Sequence, residues 1–583
     1  MIKFTPLGMN QSINWLKVAA GSRWQSFHCL TVFDLSNQKQ KGLLIPLVCI
    51  QYTKGIKARE LSLWKGDRCM EKLKRKVDAK KIIDNPTLEE LRKLASHKER
   101  TTKYGSASYI SRMRNRSARA TFIVECEGFE PGVDQQGMAP EKALDLADQV
   151  HEFLKDKEVI RMDRQLCLHS SCSFHCRLYI TKDFASIPFQ WKNMTFEPKN
   201  KDAEPDFVSI YVPEWPQRII FCHPLEKVTY ILGPDYFGEC KKSFLRKAMF
   251  AMKERGGLGF HAGSKVLRVK APDGGLRDVG FIMFGLSGTG KTTLTMHDHG
   301  LAAPEKVMIR QDDVVLMDER GYCYGTENGF YIKTEGLDES QRVLYQAAVS
   351  PHAIFENVMV LEDGTIDFNN VELTSNGRGV ILRSEVIGTD DKIDLEKANK
   401  IIFITRRNDI IPPVAKLTPE QAAAYFMLGE SIETSAGDPG KAGQSKREVG
   451  TNPFIMGPEA AEGNRLLEIL KANPDMECYL LNTGSVGAQP GREGKKITIG
   501  MSTDIMKEIA RGTIRWEQDP DWGYQVPVEI PGVDMTSYLP RNYYDSDTYH
   551  ELVNKLRQER RNWLSKYKGL RDEILMAVEA HGN

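Results

Sequence analysis

From about residue 105 the chain alternates apolar and polar positions in short runs bounded by turn residues: TFIVECEGFEPG, CRLYITKDF, DFVSIYVPEWP, RIIFCHP and VTYILGPDYFG. Such runs predict strands, here those of a mixed α/β lobe. After Gly256 a second series, KVLRVK, DVGFIMF, KVMIRQDDVVLMD, GVILRSEVI and NKIIFITRR, predicts strands separated by loops and short helices. Helical spacing of apolar residues marks TPEQAAAYFMLGE (418–430) and the run from Tyr549 to Glu579. In the latter, Leu552, Leu556, Trp563, Tyr567, Leu570 and Ile574 fall on or near one stripe, most simply a core face. Residues 65–103 have another texture: KGDRCMEKLKRKVDAKK and LEELRKLASHKER are basic and helix-prone, and a solvated helical face is a simpler reading than a polyanion site. The Gly-, Ser- and Lys-rich SAGDPGKAGQSKREVGTNP (435–453) predicts a long loop, of a kind that often serves as a lid. Three regions follow: a partly helical, basic extension over 1–105, a lobe over 106–255, and a second lobe over 256–583 that carries the lid loop.

Charge narrows the partners. The 583 residues hold 80 Lys and Arg against 78 Asp and Glu, with no excess that would point to nucleic acid or to an anionic membrane. A small substrate is expected. The start, MIKFTPLGMNQSINWLK, lacks the basic, apolar and small-residue segments of a secretory signal. The apolar GLLIPLVCI (42–50) is far short of the ~20 residues that span a bilayer, so a cytoplasmic location is expected. Eleven cysteines spread over this length fit a reducing compartment. The cluster LCLHSSCSFHC, with Cys167, Cys172, Cys176, His169 and His175, has the density of a zinc site but not the spacing of a zinc module, and buried or loop cysteines are the simpler reading.

The sharpest motif is FGLSGTGKTTL (284–294), in which Gly285 to Thr292 satisfy G-x-x-x-x-G-K-[ST] between a predicted strand and a predicted helix. Gly285, Gly288 and Gly290 let backbone N–H groups converge on phosphate oxygens, Lys291 reaches the β/γ-phosphates, and Thr292 offers its hydroxyl to Mg²⁺. A nucleoside triphosphate or another polyphosphate is expected here, with Leu286, Ser287, Thr289 and Thr293 completing the loop. Asp312 and Asp313 close an apolar run 21 and 22 residues after Lys291, where a carboxylate for the metal belongs, although the interval is short for a conventional NTPase crossover. YFGECKKSF offers Tyr236, Lys241 and Lys242; GFHAGSKV offers His261; TSNGRG places Arg378 in a Gly-flanked loop; MRNRSARATFIV sets arginines, Arg116 among them, before a strand. Taken singly, each of these is more often structural than functional.

Together they resemble the ATP-dependent phosphoenolpyruvate carboxykinase family. FGLSGTGKTTL is close to that family's own loop; YFGECKK is similar to its Y-A-G-E-x-K-K, GFHAGS to its M-H-C-S-A, and RQDD to its G-D-D. ENGFYIKT, FENVMV, TSNGRG, PPVAKLTPEQA, LNTG and PGVD resemble further family blocks in the same order, from about residue 105 to the C-terminus. The resemblance implies a two-lobed α/β fold, with a substrate lobe over 106–255 and a mononucleotide- and metal-binding lobe built on the phosphate loop over 256–583. It implies reversible conversion of oxaloacetate and ATP into phosphoenolpyruvate, ADP and CO₂, with Mg²⁺ on the nucleotide and a second metal, usually Mn²⁺. It implies that Lys242, His261 and Asp313 hold that metal, with Lys242 as a neutral amine and Lys241 as the neighbouring cation. Arg116 would grip the substrate carboxylate, Tyr236 the carboxylate or CO₂ end, Ser287 the transferred phosphoryl group, and Arg378 the space between substrate and γ-phosphate. Asp312 and Lys333 would join the nucleotide site, and GKKITIGMS would face the base with Lys496, Ile497 and Ser502.

The sequence also departs from the family. Asn115 and Ala118 replace a Gly and a Pro beside Arg116, HAGSKV replaces H-C-S-A-N-V, and GTNPFIMG replaces T-F-S-A-C-F-G. Lys496 and Ser502 stand for an arginine and a threonine in the base-binding stretch, and lysine cannot stack as a planar guanidinium does. GTP or a polyphosphate therefore stays open as donor. So do two other readings, a divergent relative phosphorylating another small molecule or a protein serine, as the fold-related HPr kinases do, and a nucleotide-binding regulatory protein.

Overall fold

Strand Phe207–Val212 is buried along its whole length, and its side chains divide between two cores: Val208, Ile210 and Val212 on one face, Phe207 and Tyr211 on the other. Helix Pro140–Leu154 covers the first face with Ala143, Ala147, Val150 and Leu154, spaced three and four apart. Helix Phe237–Glu254 covers the second with Phe244, Leu245 and Ala248. Each such buried Leu, Val or Phe contributes about 1.5–3 kcal/mol over its exposed state. The computed structural model describes residues 72–433 and 444–579, together with the strand pair 12–20 and 23–31.

This first sheet has eight strands, in the order Lys81–Asp84, Glu158–His169, Cys172–Thr181, Phe207–Val212, Val228–Leu232, Ile219–His223, Thr121–Val124 and Gly137–Met138, with parallel and antiparallel pairings mixed. A second eight-stranded mixed sheet runs Lys306–Gln311, Ala262–Lys270, Leu276–Gly285, Lys400–Thr405, Glu477–Asn482, Val414–Leu417, Gln525–Glu529 and Arg515–Gln518. Helices Pro419–Leu428, Glu459–Ala472 and Ser546–Leu564 share one core on it, and helix Ile499–Arg511 lies in another. A three-stranded sheet, Leu258–Phe260, Val315–Met317 and Cys323–Gly325, stands beside the helix Phe237–Glu254. Among the described residues no helix is long and apolar enough to cross a membrane.

Contacts divide the chain after Lys72. Of the first unit the structure describes the antiparallel pair Ser12–Ala20 and Arg23–Thr31. The second unit begins at Leu73, so the residues just before 105 are not an appendage: Lys81–Asp84 pairs in parallel with Glu158–Arg161, and Arg100–Thr101 pairs with Ala107–Tyr109 on the edge of a sheet that includes Arg378–Leu382. The second basic stretch is helical, as Leu88–Ala95, capped by Thr87 with a reciprocal Glu90 contact, whereas the described part of the first, from Lys72, is not. In the first, Leu73 is buried, its N–H donates to Glu226, and Arg75 donates to the Glu226 carbonyl, so tertiary contacts override the helix propensity of the lysines.

Helix Pro419–Leu428 starts at a Thr418/Gln421 capping box and stops at Gly429, whose φ of 46° suits glycine. The helical run expected from Tyr549 to Glu579 is broken: Ser546–Leu564 and Asp572–Met576 are helices, with Gly569 at φ 83° between them, yet Leu556, Tyr567, Leu570 and Ile574 still reach one core. The lid-loop expectation over 435–453 lies, for 435–443, outside the described residues. In its remainder, Ser445–Arg447 pairs with Glu430–Ile432 and Val449 is buried.

That junction rests on one acid. Glu430, 5% exposed, accepts from Arg560 at 2.7 and 3.2 Å and from Arg447 at 2.7 Å, while Arg560 also donates to the Tyr425 hydroxyl at 3.0 Å. Burial opposes its charge, and Arg560, Arg407 and Arg447 together overcome that and hold the carboxyl well below its usual range. Glu430→Ala should leave buried guanidiniums uncompensated and cost about 3–5 kcal/mol. An unfolding midpoint unchanged from that of the parent would refute this account.

Candidate active site

Three adjacent antiparallel strands deliver three polar side chains to one end of their small sheet. Phe260 pairs with Val315, and Val315 with Gly325. His261 follows the first strand, Asp313 precedes the second, and Glu327 follows the third. Lys241 and Lys242 reach the same place from the first turns of helix Phe237–Glu254, which can lie this near because Gly259 has no side chain: a Cβ there would sit 2.2 Å from Met249 Cγ.

Asp313 stands at the centre. Its Oδ1 lies 2.5 Å from Lys242 Nζ and 3.2 Å from His261 Nε2, and its Oδ2 accepts from Lys241, whose other partner is Glu327 Oε2 at 2.6 Å. The two lysines therefore differ in kind. Burial disfavours the charge on both, but Lys241 has two carboxylates and its pKa is raised. Lys242 has one, is repelled by Lys241, and is pushed down to about 7. Burial also lowers His261 to about 4, so its imidazole is neutral. Its Nδ1 lies 2.9 Å from the Thr451 carbonyl oxygen, which can only accept; Nδ1 carries the proton and the Nε2 lone pair faces Asp313. Asp313 itself is held well below the usual range by Lys241 and Lys242 against the opposing effect of burial.

The phosphate-loop sequence adopts the strand–loop–helix geometry that its glycines require. Strand Leu276–Gly285 leads to helix Lys291–Met296, with Gly288 at φ 85° and Gly290 at φ 96°. At Gly285 a Cβ would lie 2.4 Å from the Thr289 hydroxyl. Arg406 donates to the Gly288 carbonyl at 3.0 Å and Thr483 to the Thr289 carbonyl at 2.7 Å, pinning the loop from two neighbouring strand ends. Ser287 is exposed; Thr292 and Thr293 are half-buried; Leu286 and Thr289 are buried. Lys291 Nζ donates to the Asp312 carbonyl at 2.8 Å, so the loop lysine meets the acidic pair through its backbone. Burial, and then the Asp313 charge, raises the Asp312 carboxyl to about 6.

Arg378 opens strand Arg378–Leu382, donates to Asn376 Oδ1 at 2.8 Å and lies 5.4 Å from the Tyr331 ring centre. Asn376 Nδ2 contacts the buried Tyr236 hydroxyl at 3.4 Å, which links these two predicted residues. Arg116 is held by its neighbour, because Ser117 N–H donates to Glu239 of the lysine helix. Its guanidinium lies 4.5 Å from the Phe454 ring centre, and Lys242 Nζ lies 4.6 Å from that ring. Phe454 belongs to a cavity of about 320 Å³ that Arg116, Lys242 and Glu448 also line.

Four further residues are expected at the nucleotide, and one of them, Lys333, pairs with Arg378 across two neighbouring strands. Lys333 is exposed beside Glu335, and Lys496 is exposed with its carbonyl accepting from Tyr538. Ile497 is buried, and its N–H donates to the Gly484 carbonyl next to Thr483. Ser502 is buried, and its hydroxyl donates to the Thr498 carbonyl at 3.1 Å, which ties it into its own helix. In the cysteine–histidine hairpin, Cys167, Cys172 and Cys176 are buried, His175 meets Asp163 at 2.9 Å, and His169 packs on Tyr322 and Tyr324. Glu327, Glu239, Phe454 and Tyr331 were not singled out from sequence. The local hints were their places in quoted blocks: Glu327 and Tyr331 in ENGFYIKT, Glu239 in YFGECKK and Phe454 in GTNPFIMG.

Residues 80–536 match the family model described as phosphoenolpyruvate carboxykinase, which is most of the chain. The chain belongs to the phosphoenolpyruvate carboxykinase family. Among curated proteins, the "Phosphoenolpyruvate carboxykinase (ATP)" of Aeropyrum pernix is 38% identical over 374 residues, 64% of this chain and 74% of that protein. Those of Rhizobium rhizogenes and Parvibaculum lavamentivorans are 28% and 27% identical, over 65% and 76% of this chain and 71% and 83% of theirs.

The charge balance of the acid–lysine centre can be checked directly. Burial raises Glu327 to about 7, even with Lys241 opposing. Lys241→Met should raise it further. A carboxyl whose folded pKa exceeds its unfolded value loses stability as pH rises through that interval, so the variant should melt below the parent at pH 8 and approach it near pH 5. A deficit independent of pH would refute this assignment of charges.

Proposed function

We propose that the protein catalyses the reversible conversion of oxaloacetate and ATP into phosphoenolpyruvate, ADP and CO₂, using a divalent cation beside Asp313 and Mg²⁺ on the nucleotide. The observation that carries this reading is the convergence of Lys242 Nζ and His261 Nε2 on one oxygen of Asp313, next to the Asp312 carbonyl that takes Lys291. The donors suit a cation: the imidazole is neutral and oriented by Thr451, the carboxylate is ionised, and the Lys242 amine loses its proton near pH 7. Held by Lys242, His261 and Asp313, Mn²⁺ would supply Lewis-acid stabilisation of negative charge on the substrate oxygen.

The chain's own groups supply the rest. Arg116, supported through Ser117 by Glu239, would hold a substrate carboxylate, with Tyr236 at the CO₂ end. In the forward direction the C–C bond to the departing carboxylate breaks, and its electron pair passes into the enolate. The enolate oxygen then forms a bond to the γ-phosphorus as the bond to the β,γ-bridging oxygen breaks and ADP leaves. Lys291 and Arg378 bring positive charge to the phosphoryl oxygens, and Lys241, fixed by Asp313 and Glu327, adds a permanent cation. Ser287, exposed at the loop tip, would meet the transferred group, and Thr292 the nucleotide's Mg²⁺. The two-lobed family architecture, with the phosphate loop in a mononucleotide lobe and Lys333, Lys496, Ile497 and Ser502 towards the base, belongs to the same proposal.

A donor screen tests it. Purified protein with oxaloacetate and Mn²⁺ should form phosphoenolpyruvate with ATP, and weakly or not at all with GTP or pyrophosphate. Lys242→Met and His261→Gln should each lower kcat by about 10²- to 10³-fold while the protein stays folded. Nucleotide binding with no phosphoenolpyruvate from any donor would sink the reading.

A further inference from the structure

Arg246 lies one helical turn after Lys242, on the same side of helix Phe237–Glu254, and lines the same cavity of about 320 Å³ as Arg116 and Phe454. Its Nε is buried without a hydrogen-bond partner. Among the described residues neither its guanidinium nor that of Arg116 makes a hydrogen bond or a carboxylate ion pair. Both guanidiniums and the Lys242 amine gather round one ring, at 5.8, 4.5 and 4.6 Å from the Phe454 centre. Four acids line the cavity, and although Glu239 attracts Arg246 and Arg116 attracts Glu448 at longer range, none pairs directly with either guanidinium. Asp134 accepts from the Tyr567 hydroxyl, and Glu459 from the Val133 and Asp134 N–H groups and Gln135. Glu239 is engaged by the Ser117 N–H, and Glu448 lines the cavity beyond ion-pairing distance of either arginine. Burial disfavours the Arg246 charge, and Arg116 repels it.

An arrangement of like charges in a partly closed cavity works against folding, and Phe454 alone is a poor reason to keep it: a cation–π contact would be satisfied by Arg116 and Lys242 already. An anion with two or more acceptor oxygens removes the conflict, because each guanidinium can donate a planar pair of N–H groups to it. Resting on the function proposed above, in which Arg116 holds a substrate carboxylate, we propose that Arg246 is a second guanidinium on that carboxylate, so that the substrate is gripped from two sides in the Phe454 cavity. Arg246 would thereby set specificity for carboxylate-bearing substrates without taking part in phosphoryl transfer.

Arg246→Gln and Arg246→Lys separate this from a packing role. In Arg246→Gln, the KM for oxaloacetate and the Kd for phosphoenolpyruvate titrated without nucleotide should rise about 10- to 100-fold, the loss of one charge-assisted pair. The KM for ATP should stay within about twofold and the melting temperature near that of the parent, with Arg246→Lys between the two. Unchanged oxaloacetate KM and phosphoenolpyruvate Kd in folded Arg246→Gln would overturn the proposal. So would oxaloacetate and ATP constants rising together, the sign of a general distortion. Parent protein that neither binds phosphoenolpyruvate nor forms it would instead overturn the functional reading beneath.

Discussion

A buried carboxylate cannot stay ionised without compensation, and the site is organised round the compensation of Asp313. Desolvating a carboxylate costs several kcal/mol even after relaxation. Here Lys241 and Lys242 meet its two oxygens separately, and His261 shares one of them. This single demand fixes the register of the small sheet, whose three strands must end level so that His261, Asp313 and Glu327 arrive together. It also fixes the approach of helix Phe237–Glu254, which only a glycine at 259 permits.

The same demand joins the two halves of the chemistry. Asp312 and Asp313 are consecutive, yet they serve through different atoms: Asp313 through its carboxylate, Asp312 through the carbonyl that receives Lys291. A shift of the strand that carries them would therefore move both the acid–lysine centre and the loop lysine. On the loop's other side, Arg406 and Thr483 hold the Gly288 and Thr289 carbonyls, so the loop's glycines are free in conformation but not in position. Glu239 ties the Arg116 segment to the lysine helix through Ser117, which makes Arg116, proposed above to hold a substrate carboxylate, a fixture of the same helix.

Legibility followed the range of the interactions. The phosphate loop could be read from eight residues because its chemistry is local: backbone N–H groups, glycine conformations and one lysine. Strands such as Phe207–Val212 could be read because a buried sheet needs continuous apolar runs. The grouping of Lys242, His261 and Asp313 came from a resemblance, not from spacing, since no periodicity relates residues 19 and 52 positions apart. Glu327 and Phe454 were missed for the same reason: an acid and a phenylalanine in loops carry no local mark of burial beside a lysine. The described part of the basic stretch before Lys81, from Lys72, misled in the opposite way. Lysines favour helices where nothing else decides, and there Leu73 and Arg75 were already committed to the Glu226 region.

Two adjacent lysines on one helix would ordinarily be near duplicates, 100° apart and equally charged. The site makes them unlike by giving Glu327 to only one. Lys241, between two carboxylates, is a fixed cation that can stabilise charge but cannot release its proton near neutrality. Lys242, with one carboxylate, a cationic neighbour and the Phe454 ring, can give its proton up and offer a lone pair. Glu327 thus decides which lysine is the cation and which the donor, although it lies on neither lysine's element and touches only one of them. Exchanging the two lysines' partners would leave composition and fold unchanged and remove the neutral amine from the point where His261 Nε2 and Asp313 Oδ1 meet.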